Sequence, residues 1–338
     1  MRALVFEQYA GPLTVRDVPD PTPHPDGVVV RVAASGICRS DWHGWQGHDP
    51  DIRLPHVPGH ELAGTVVAVG SAVRRWRADD RVTVPFVNAC GRCRTCIRGD
   101  QQVCEDQRQP GFTHWGSFAE LVALHAADTN LVGLPDDLPF ATAAILGCRY
   151  GTAYRAIVQQ GKVQPGDWVV VHGCGGLGLS AVQIAVAHGA RVIAVDLADG
   201  ALRLATELGA EHAVSEDVVA QVLDLTEGGA DLSLDALGSE QTCANSIRCL
   251  RARGRHVQVG LLPQDPVVPL GRALALELEL IGSHGLAAHS YPELLALVTS
   301  GRLQPERLIT QQVELGDAGR ALAEVGREPG IAVVTSFA

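Results

Sequence analysis

The 338-residue chain is predicted to be a two-domain α/β protein, because its pattern changes once along its length. Up to about residue 148, β-branched runs bounded by glycine, such as Val28–Val32 and Gly64–Gly70, indicate short strands separated by turns. From Asp167 onward, strand-like runs alternate with helical stretches. Such alternation is typical of a parallel, doubly wound sheet.

The elements are predicted from local pattern in chain order. The N-terminal run Met1–Glu7 is expected to form a strand, and the proline-spaced stretch 19–27 an exposed loop. In the second half, the expected elements are strand Trp168–Val171, helix Gly178–His188, strand Arg191–Asp196 and helix Gly200–Leu208. The chain is expected to close with helix Tyr291–Ser300 and strand Ile331–Thr335.

Composition excludes several classes of protein. Hydrophobic residues make up 46% and charged residues 19%, which is typical of a globular chain and not of a disordered one. The net charge of −11 disfavours binding to nucleic acid or to an anionic membrane. We expect no signal peptide and no membrane span, and clustered cysteines favour metal binding in a reducing compartment, so the cytoplasm is the expected location.

Four of the nine cysteines stand in one short segment. They are Cys90, Cys93, Cys96 and Cys104, separated by two, two and seven residues. Four thiolates at such spacing can form a closed tetrahedral shell around one zinc ion. A closed shell leaves no position for substrate, so this segment predicts a structural zinc site.

A glycine-rich turn follows the strand at 168–171 and precedes a helix. The residues that form it are Gly173, Gly175, Gly176, Leu177 and Gly178. This G-x-G-x-x-G pattern permits a tight turn and a close approach of the backbone to a pyrophosphate at a helix N-terminus. Asp196, about twenty residues further on, is expected to accept hydrogen bonds from ribose hydroxyls. No arginine follows it, so NAD is favoured over NADP; the alternative role of Asp196 is to cap the next helix.

A second set of potential metal ligands is scattered along the first half of the chain. It comprises Cys38, His60, Glu61 and Cys148. Each residue alone is more often a core residue than a ligand, but three protein ligands with an open fourth position suit a catalytic zinc. Near Cys38, Ser40 and His43 offer groups for proton transfer. Asp41 is placed to orient a zinc-bound histidine, and Arg39 to pair with a phosphate.

In combination these motifs resemble the zinc-containing alcohol dehydrogenases of the medium-chain dehydrogenase/reductase family. The segment Cys38–His43 resembles the family's Cys-x-Thr/Ser-Asp-x-His pattern, and Gly59-His60-Glu61 resembles its Gly-His-Glu pattern. The cysteine quartet resembles the structural zinc lobe, and the glycine turn resembles the coenzyme loop. The resemblance implies a GroES-like, partly closed β-barrel catalytic domain and a Rossmann coenzyme domain. The expected ranges are 1–148 with 286–338 for the catalytic domain, with the zinc lobe at 90–104, and 149–285 for the Rossmann domain.

The resemblance also implies roles for individual residues. Cys38, His60 and Cys148 would bind the catalytic zinc, with Glu61 behind it as an alternate ligand. Asp41 would hydrogen-bond His60, and Arg39 would contact the coenzyme pyrophosphate. Ser40 would contact the substrate oxygen, and His43 would pass the proton onward. Two zinc ions per chain, NAD and a homotetramer or dimer are expected.

Three positions depart from the family pattern. Ala201 stands near the place of a lysine that follows the acidic ribose binder in many members, and Ile331 stands where a basic residue of the C-terminal strand often serves the coenzyme. Ser40 replaces the more frequent threonine and keeps the hydroxyl group.

The sequence indicates the substrate less clearly than the type of reaction. Trp45, Phe86 and Trp115 flank the motifs and are candidates for an apolar pocket, although a core position is equally expected for each. Cys148 is a thiol where polyol dehydrogenases usually have a carboxylate, so primary or simple secondary alcohols are favoured over sugar alcohols. The alternatives are a polyol dehydrogenase, a zinc-ribbon nucleic-acid-binding protein and a family member without catalysis.

Overall fold

The structure, a computed structural model, describes residues 1–337, which form fifteen strands and twelve α-helices. The strands are β1 (Arg2–Val5), β2 (Thr14–Asp17), β3 (Val28–Ile37), β4 (Glu61–Val69), β5 (Arg81–Thr83), β6 (Leu121–Leu124), β7 (Val132–Gly133), β8 (Trp168–His172), β9 (Arg191–Val195), β10 (His212–Val214), β11 (Ala230–Asp235), β12 (Leu250–Gln258), β13 (Glu279–Gly282), β14 (Ile309–Glu314) and β15 (Ile331–Ser336).

The helices are α1 (Arg39–Trp45), α2 (Arg94–Ile97), α3 (Ala127–Asn130), α4 (Phe140–Ala144), α5 (Gly151–Tyr154), α6 (Gly176–Ala187), α7 (Asp199–Glu207), α8 (Val218–Leu225), α9 (Glu240–Arg248), α10 (Leu270–Ala275), α11 (Tyr291–Thr299) and α12 (Leu315–Ala323). Two π-helical turns, Leu146–Tyr150 and Arg155–Gln160, flank α5. Short 3-10 turns cover Gln101–Val103, Ala288–Ser290 and Pro305–Leu308.

The N-terminal sheet is built around the long strand β3. Its order is β14-β15-β3-β4-β5-β7, and β6 also pairs with β3, so the sheet branches at that strand. Most pairs are antiparallel, whereas β14 and β15 are parallel. The valines Val28, Val30 and Val32 point into a core shared with Val66 and Val82, which follows from their period-two spacing. This sheet confirms the predicted GroES-like domain.

The second sheet has six parallel strands in the order β10-β9-β8-β11-β12-β13. Strand order reverses between β8 and β11, which is the edge where doubly wound sheets bind ligands. Val169, Val170 and Val171 of β8 are fully buried, as expected for a strand covered on both faces. The predicted doubly wound parallel sheet is confirmed.

In the second half of the chain, the boundaries of the predicted elements shift by one or two residues, whereas in the first half β3 continues past Val32 to Ile37 and β4 begins before Gly64, at Glu61. Helix α6 begins at Gly176 rather than Gly178, and β9 ends at Val195, so Asp196 lies just beyond it. The six-stranded sheet lies within 149–285, and β14 and β15 join the sheet of the first half. The domain ranges 1–148 with 286–338 and 149–285 stay predictions. Among residues 1–337, no helix is long and apolar enough to span a membrane.

Candidate active site and metal centres

The four scattered ligand candidates are brought together by the fold. One ligand atom each from Cys38, His60, Glu61 and Cys148 lies within 4.8 Å of the others. Pairing of β3 with β4 sets Gly36 opposite Glu61, and this places Cys38 beside His60. Cys148 comes from the π-helical turn Leu146–Tyr150, a kind of helix irregularity that is frequent at functional sites.

Asp41 fixes the orientation of His60. Its carboxylate accepts hydrogen bonds from His60 Nδ1 at 2.8 Å, from Cys38 N at 2.9 Å and from Gly59 N at 3.0 Å. Burial opposes protonation of His60, but the negative charge of Asp41 and its hydrogen bond raise the pKa of the ring well above its usual value. His60 Nε2 is buried without a partner, so it is the nitrogen that a metal would take.

The donor set fits zinc. Two sulfurs and one imidazole nitrogen are the ligands of several catalytic zinc sites. A hydrogen bond from Cys148 lowers the pKa of Cys38, and the same contact, together with burial, raises the pKa of Cys148. The two sulfurs and the unpartnered, buried Nε2 of His60 therefore face the same point, where a bound cation would take the place of the proton that the raised pKa of His60 favours.

Arg149 is a residue of this site that the sequence analysis did not single out. Its backbone N–H and Nε each donate to Glu61 Oε1 at 2.9 Å, and its Nη2 donates to Glu61 Oε2. An added Cβ on Gly36 would lie 2.2 Å from Glu61 Oε2, so only glycine at this position of β3 leaves room for the ion pair of Glu61 with Arg149. The available signal was a single arginine next to Cys148 in an otherwise apolar run.

The proposed proton-transfer residues lie on α1, directly after Cys38. Ser40 Oγ is 3.8 Å from Cys38 Sγ. His43 Nδ1 lies 2.9 Å from His48 Nδ1, and burial, Arg39 and His48 together lower the pKa of His43. His48 follows α1, and the turn there brings its ring to His43.

Arg39 is engaged with the loop after α12. Its Nη1 donates to Val325 O at 3.1 Å, and its guanidinium lies 4.4 Å from the ring centroid of Trp42. The side chain is exposed. A contact between Arg39 and the coenzyme pyrophosphate stays a prediction.

Two phenylalanines line the metal set. The ring centroids of Phe112 and Phe86 lie 5.2 Å and 6.2 Å from that of His60. Phe86 was expected near the site and Phe112 was not. Trp45 donates to Gly11 O at 2.8 Å and packs in the cluster around Phe112, one layer away from His60.

Trp115 packs elsewhere. It donates to Pro55 O at 3.0 Å and packs with Ala3, Val5 and Val57, in a cluster separate from that of Phe112. The structure therefore places Phe86 against the metal set and the two tryptophans in neighbouring clusters. The pocket role expected for Trp45 and Trp115 stays a prediction.

The four cysteine sulfurs of the quartet cluster beside α2. Sulfur–sulfur distances of 3.4 Å (Cys93–Cys96), 3.8 Å (Cys93–Cys104) and 4.0 Å (Cys90–Cys96) are far longer than a disulfide bond. Four sulfurs bound tetrahedrally at zinc–sulfur bond length would lie about 3.8 Å apart, so the four cysteines fit one zinc ion. A backbone N–H of Cys96 lowers the pKa of Cys93 to about 6, which favours the thiolate.

The glycine turn connects β8 to α6. Gly173 has φ +89°, and an added Cβ on Gly178 would lie 1.7 Å from Gly173 O, so neither position accepts a side chain. An added Cβ on Gly175 would meet nothing within 4 Å. Open space in front of a helix N-terminus fits a coenzyme phosphate.

Asp196 closes the other side of this turn. Its carboxylate accepts hydrogen bonds from Cys174 N at 2.7 Å and from Ala198 N at 2.9 Å. It thus supports the backbone before α7, and each oxygen keeps a further lone pair for a ribose hydroxyl. The two roles considered for Asp196 are compatible in one conformation.

A third group of potential ligands lies in surface loops. His24, Asp26 and His125 come within metal-binding range of one another, and His24 Nδ1 lies 2.6 Å from Asp26 Oδ1. No sequence motif indicates this group, because its members belong to separate loops before β3 and after β6.

Two family models match the chain. Residues 24–136 match the alcohol dehydrogenase GroES-like domain, and residues 176–300 match the zinc-binding dehydrogenase domain. Three features together define a zinc-type dehydrogenase. They are the six-stranded parallel sheet with its glycine turn, the GroES-like domain, and the two sets of potential metal ligands that contain cysteine. The chain belongs to the zinc-containing alcohol dehydrogenases of the medium-chain dehydrogenase/reductase family, and it is an oxidoreductase that interconverts alcohols with aldehydes or ketones.

Relatives cover almost the whole chain. An alcohol dehydrogenase of Geobacillus stearothermophilus is 35% identical over 90% of both chains, and a sorbitol dehydrogenase of Halalkalibacterium halodurans is 32% identical over 95% of both. Among solved structures, alcohol dehydrogenase TADH from Thermus sp. ATN1 has a TM-score of 0.91 at 35% identity, with complete coverage of both chains. An NAD-dependent alcohol dehydrogenase has a TM-score of 0.89 at 32% identity, again with complete coverage.

Proposed function

We propose that this chain oxidises primary or simple secondary alcohols with NAD as hydride acceptor, catalyses the reverse reduction, and binds one catalytic and one structural zinc ion. The observation that carries the proposal is the convergence of Cys38, His60 and Cys148, with the unpartnered, buried Nε2 of His60 among them. Three such ligands leave a fourth position for the substrate oxygen.

Residues of the metal set have separate tasks. When bound, zinc lowers the pKa of an alcohol and NAD accepts the hydride. Cys38 Sγ, His60 Nε2 and Cys148 Sγ would hold the ion, and Asp41 keeps His60 in the tautomer that exposes Nε2. Glu61 is neutralised by Arg149, so it adds little negative charge near the two cysteines.

The proton of the alcohol needs a route out of the site. The Ser40 hydroxyl, close to Cys38, would accept that proton and release its own toward His43. His43 would pass it outward, and its contact with His48 offers a next acceptor. Lowered basicity of His43 keeps the ring neutral near pH 7 and able to accept a proton.

The preference for NAD rests on Asp196. A carboxylate at the end of β9 would accept hydrogen bonds from the ribose hydroxyls and repel a 2′-phosphate. Leu197 next to it is 88% exposed and offers no charge to a phosphate. The missing lysine at Ala201, which is buried, removes a further positive charge from this region.

The wall of the metal set favours apolar substrates. Phe86 and Phe112 pack against His60, and neither can hydrogen-bond the hydroxyls of a sugar alcohol. A polyol dehydrogenase is the second candidate, because a sorbitol dehydrogenase is among the relatives. This relative is similar to almost the whole chain, so the side chains of the substrate pocket, and not the fold, must distinguish oxidation of simple alcohols from oxidation of polyols.

We also propose a dimer or tetramer that forms through the free edge of the six-stranded sheet. Strand β13 pairs on one side only, and helix α10 before it has no buried residue. Exposed apolar side chains collect there, namely Val267, Leu270, Leu274 and Leu280. Nine free cysteines, all of them either in metal sets or buried, also support a reducing compartment such as the cytoplasm.

The test is a panel of linear, branched, aromatic and polyhydroxy alcohols with NAD or NADP, followed by nicotinamide absorbance. We expect the highest kcat/KM with NAD and simple or aromatic alcohols, and inhibition by a zinc chelator. Turnover of polyols alone would establish the second candidate instead. Equal kcat/KM with NADP would contradict the role of Asp196.

A further inference from the structure

The C-terminal strand of this chain lacks a basic residue on the coenzyme side. Ile331, the first residue of β15, stands where such a residue was expected, and its side chain is buried. The glycine turn thus receives no positive charge from that strand. A pyrophosphate carries two negative charges, and a helix N-terminus alone neutralises only part of them.

Arg149 fills the space beside Ile331 from another element. An added Cβ on Gly176, the first residue of α6, would meet Arg149 Cδ at 2.9 Å, Arg149 Nη1 at 3.1 Å and Ile331 Cγ1 at 3.1 Å. The guanidinium therefore lies directly against the N-terminus of the helix that follows the glycine turn. Gly176 makes this approach possible, because any side chain there would displace the arginine.

The hydrogen bonds of Arg149 leave one nitrogen free. Its Nε and Nη2 donate to the Glu61 carboxylate, whereas no hydrogen bond within residues 1–337 uses Nη1. The Arg149 side chain as a whole is 8% exposed, and Nη1 is the nitrogen that Glu61 does not use. A guanidinium can bind two anions at once, since its five N–H groups point along different edges.

We propose that Arg149 is a coenzyme-binding residue, which donates from Nη1 to the pyrophosphate while its other edge holds Glu61. The inference rests on the proposed function and deepens it. One side chain, adjacent in sequence to Cys148, then links the metal set to the glycine turn. The charge that the C-terminal strand lacks is supplied by the π-helical turn Leu146–Tyr150.

The experiment must separate binding of pyrophosphate from support of Glu61. Removing Arg149 alone would strand a buried carboxylate, so the comparison is Glu61→Gln against Glu61→Gln/Arg149→Met in the zinc-loaded full chain. Calorimetry measures the Kd of ADP-ribose, which contains the pyrophosphate, and of adenosine, which does not. Thermal melting reports whether both variants remain folded.

We expect the double variant to bind ADP-ribose about tenfold or more weakly than Glu61→Gln, with adenosine affinity unchanged, as for the loss of a hydrogen bond to a charged group. Adding Ile331→Arg to the double variant is expected to restore most of this affinity. Equal ADP-ribose affinity in Glu61→Gln and the double variant would overturn the inference and leave the proposed function standing. Failure of the unmodified chain to bind NADH or ADP-ribose would overturn the coenzyme assignment, and this inference with it.

If the double variant does not fold, Arg149→Lys provides the second comparison. Lysine keeps the positive charge, but its single ammonium group lacks the separate edges with which a guanidinium can bind Glu61 and a phosphate at the same time. We expect weaker ADP-ribose binding and a steeper dependence on salt concentration. Unchanged affinity in Arg149→Lys at every salt concentration would overturn the inference.

Discussion

Asp41 is the residue on which the geometry of the metal set depends most. Three donors converge on its buried carboxylate, and each comes from a ligand or from the residue next to one. Loss of one such bond leaves a buried N–H without a partner, at a cost of about 1–3 kcal/mol. These bonds hold Cys38 and His60 in fixed positions, and we propose that a metal would therefore bind a preformed site.

The first prediction concerns this residue. Asp41→Asn should weaken zinc binding at the catalytic set by about 10–100-fold, because the amide can no longer accept from all three donors. Competition with a chromophoric chelator measures the affinity, and Asp51→Asn, an exposed residue of the nearby loop, is the matched control. Zinc affinity that is the same in both variants would show that Asp41 does not organise the site.

The residues that could be predicted are those that belong to a short sequence motif. Cys38, His60 and Glu61 stand within short motifs, and their convergence follows from the pairing of β3 with β4. Arg149 and Phe112 could not be predicted, because their contacts join segments far apart in the chain. The arginine after Cys148 stands out in an apolar run, but neither it nor Phe112 has a local pattern that indicates which distant segment it contacts.

At the scale of elements, the zinc lobe 90–104 has little structure of its own. Helix α2 has four residues and the following 3-10 turn has three, and the small buried cluster there consists of Ala89, Cys96 and Cys104. So small a core cannot offset the conformational entropy of the loop. The lobe is therefore expected to depend on its metal for order.

Cys93→Ser tests this dependence. The variant should lose one zinc ion per chain, melt at a lower temperature and become more susceptible to proteolysis within 90–104, because the lobe loses a ligand and α2 its N-cap sulfur. Metal analysis and limited proteolysis with mass spectrometry provide the measurements. The control is Cys243→Ser in α9, a buried cysteine outside both metal sets, which should keep the full zinc content. An intact lobe in the zinc-depleted variant would refute a structural role for this metal.

The regular elements predicted in the second half of the chain lie within a residue or two of the observed ones, whereas β3 and β4 are longer or begin earlier than predicted, and the irregular turns were not predicted. Strands β8 and β9 and helix α6 follow from hydrophobic pattern and glycine position. The π-helical turns at Leu146–Tyr150 and Arg155–Gln160 have no such pattern, since the insertion of one residue in a helix is decided by packing. Arg149 lies in one of them, and its contact with Glu61 was therefore not predicted, although the neighbouring Cys148 was predicted as a metal ligand.

At the scale of the whole molecule, buried histidines make stability depend on pH. His172 of β8 is 1% exposed, its Nε2 has no partner, and burial lowers its pKa to about 3, with His256 adding to the effect. The unfolded chain takes up a proton at this residue below about pH 6.5, whereas the folded chain does not. Stability is therefore lost progressively as pH falls from about 6.5 toward the lowered pKa.

The expected size of this effect is about 2 kcal/mol between pH 7 and pH 5 for His172 alone. Urea unfolding at the two pH values should show a loss of stability that His172→Gln reduces by that amount. The exposed His289→Gln variant should leave the difference unchanged. A difference of equal size in all three proteins would show that His172 is protonated in the folded state.

The free edge of the six-stranded sheet leads to a prediction about assembly. Leu274→Glu/Leu280→Glu should lower the mass in solution from that of a dimer or tetramer, because the substitutions place charges beside the unpaired strand β13. Light scattering provides the mass. Ile97→Glu, at an exposed apolar residue of the zinc lobe, should leave the mass unchanged. A monomeric unmodified chain would contradict the proposed interface.

The separation of a catalytic metal from a structural one is tested most directly by the zinc content of the unmodified chain and of Cys38→Ala. We expect two zinc ions per chain in the first and one in the second, with the variant folded but inactive toward alcohols. One zinc ion in the unmodified chain, or two in an inactive Cys38→Ala variant, would contradict the assignment of Cys38, His60 and Cys148 as the catalytic metal site.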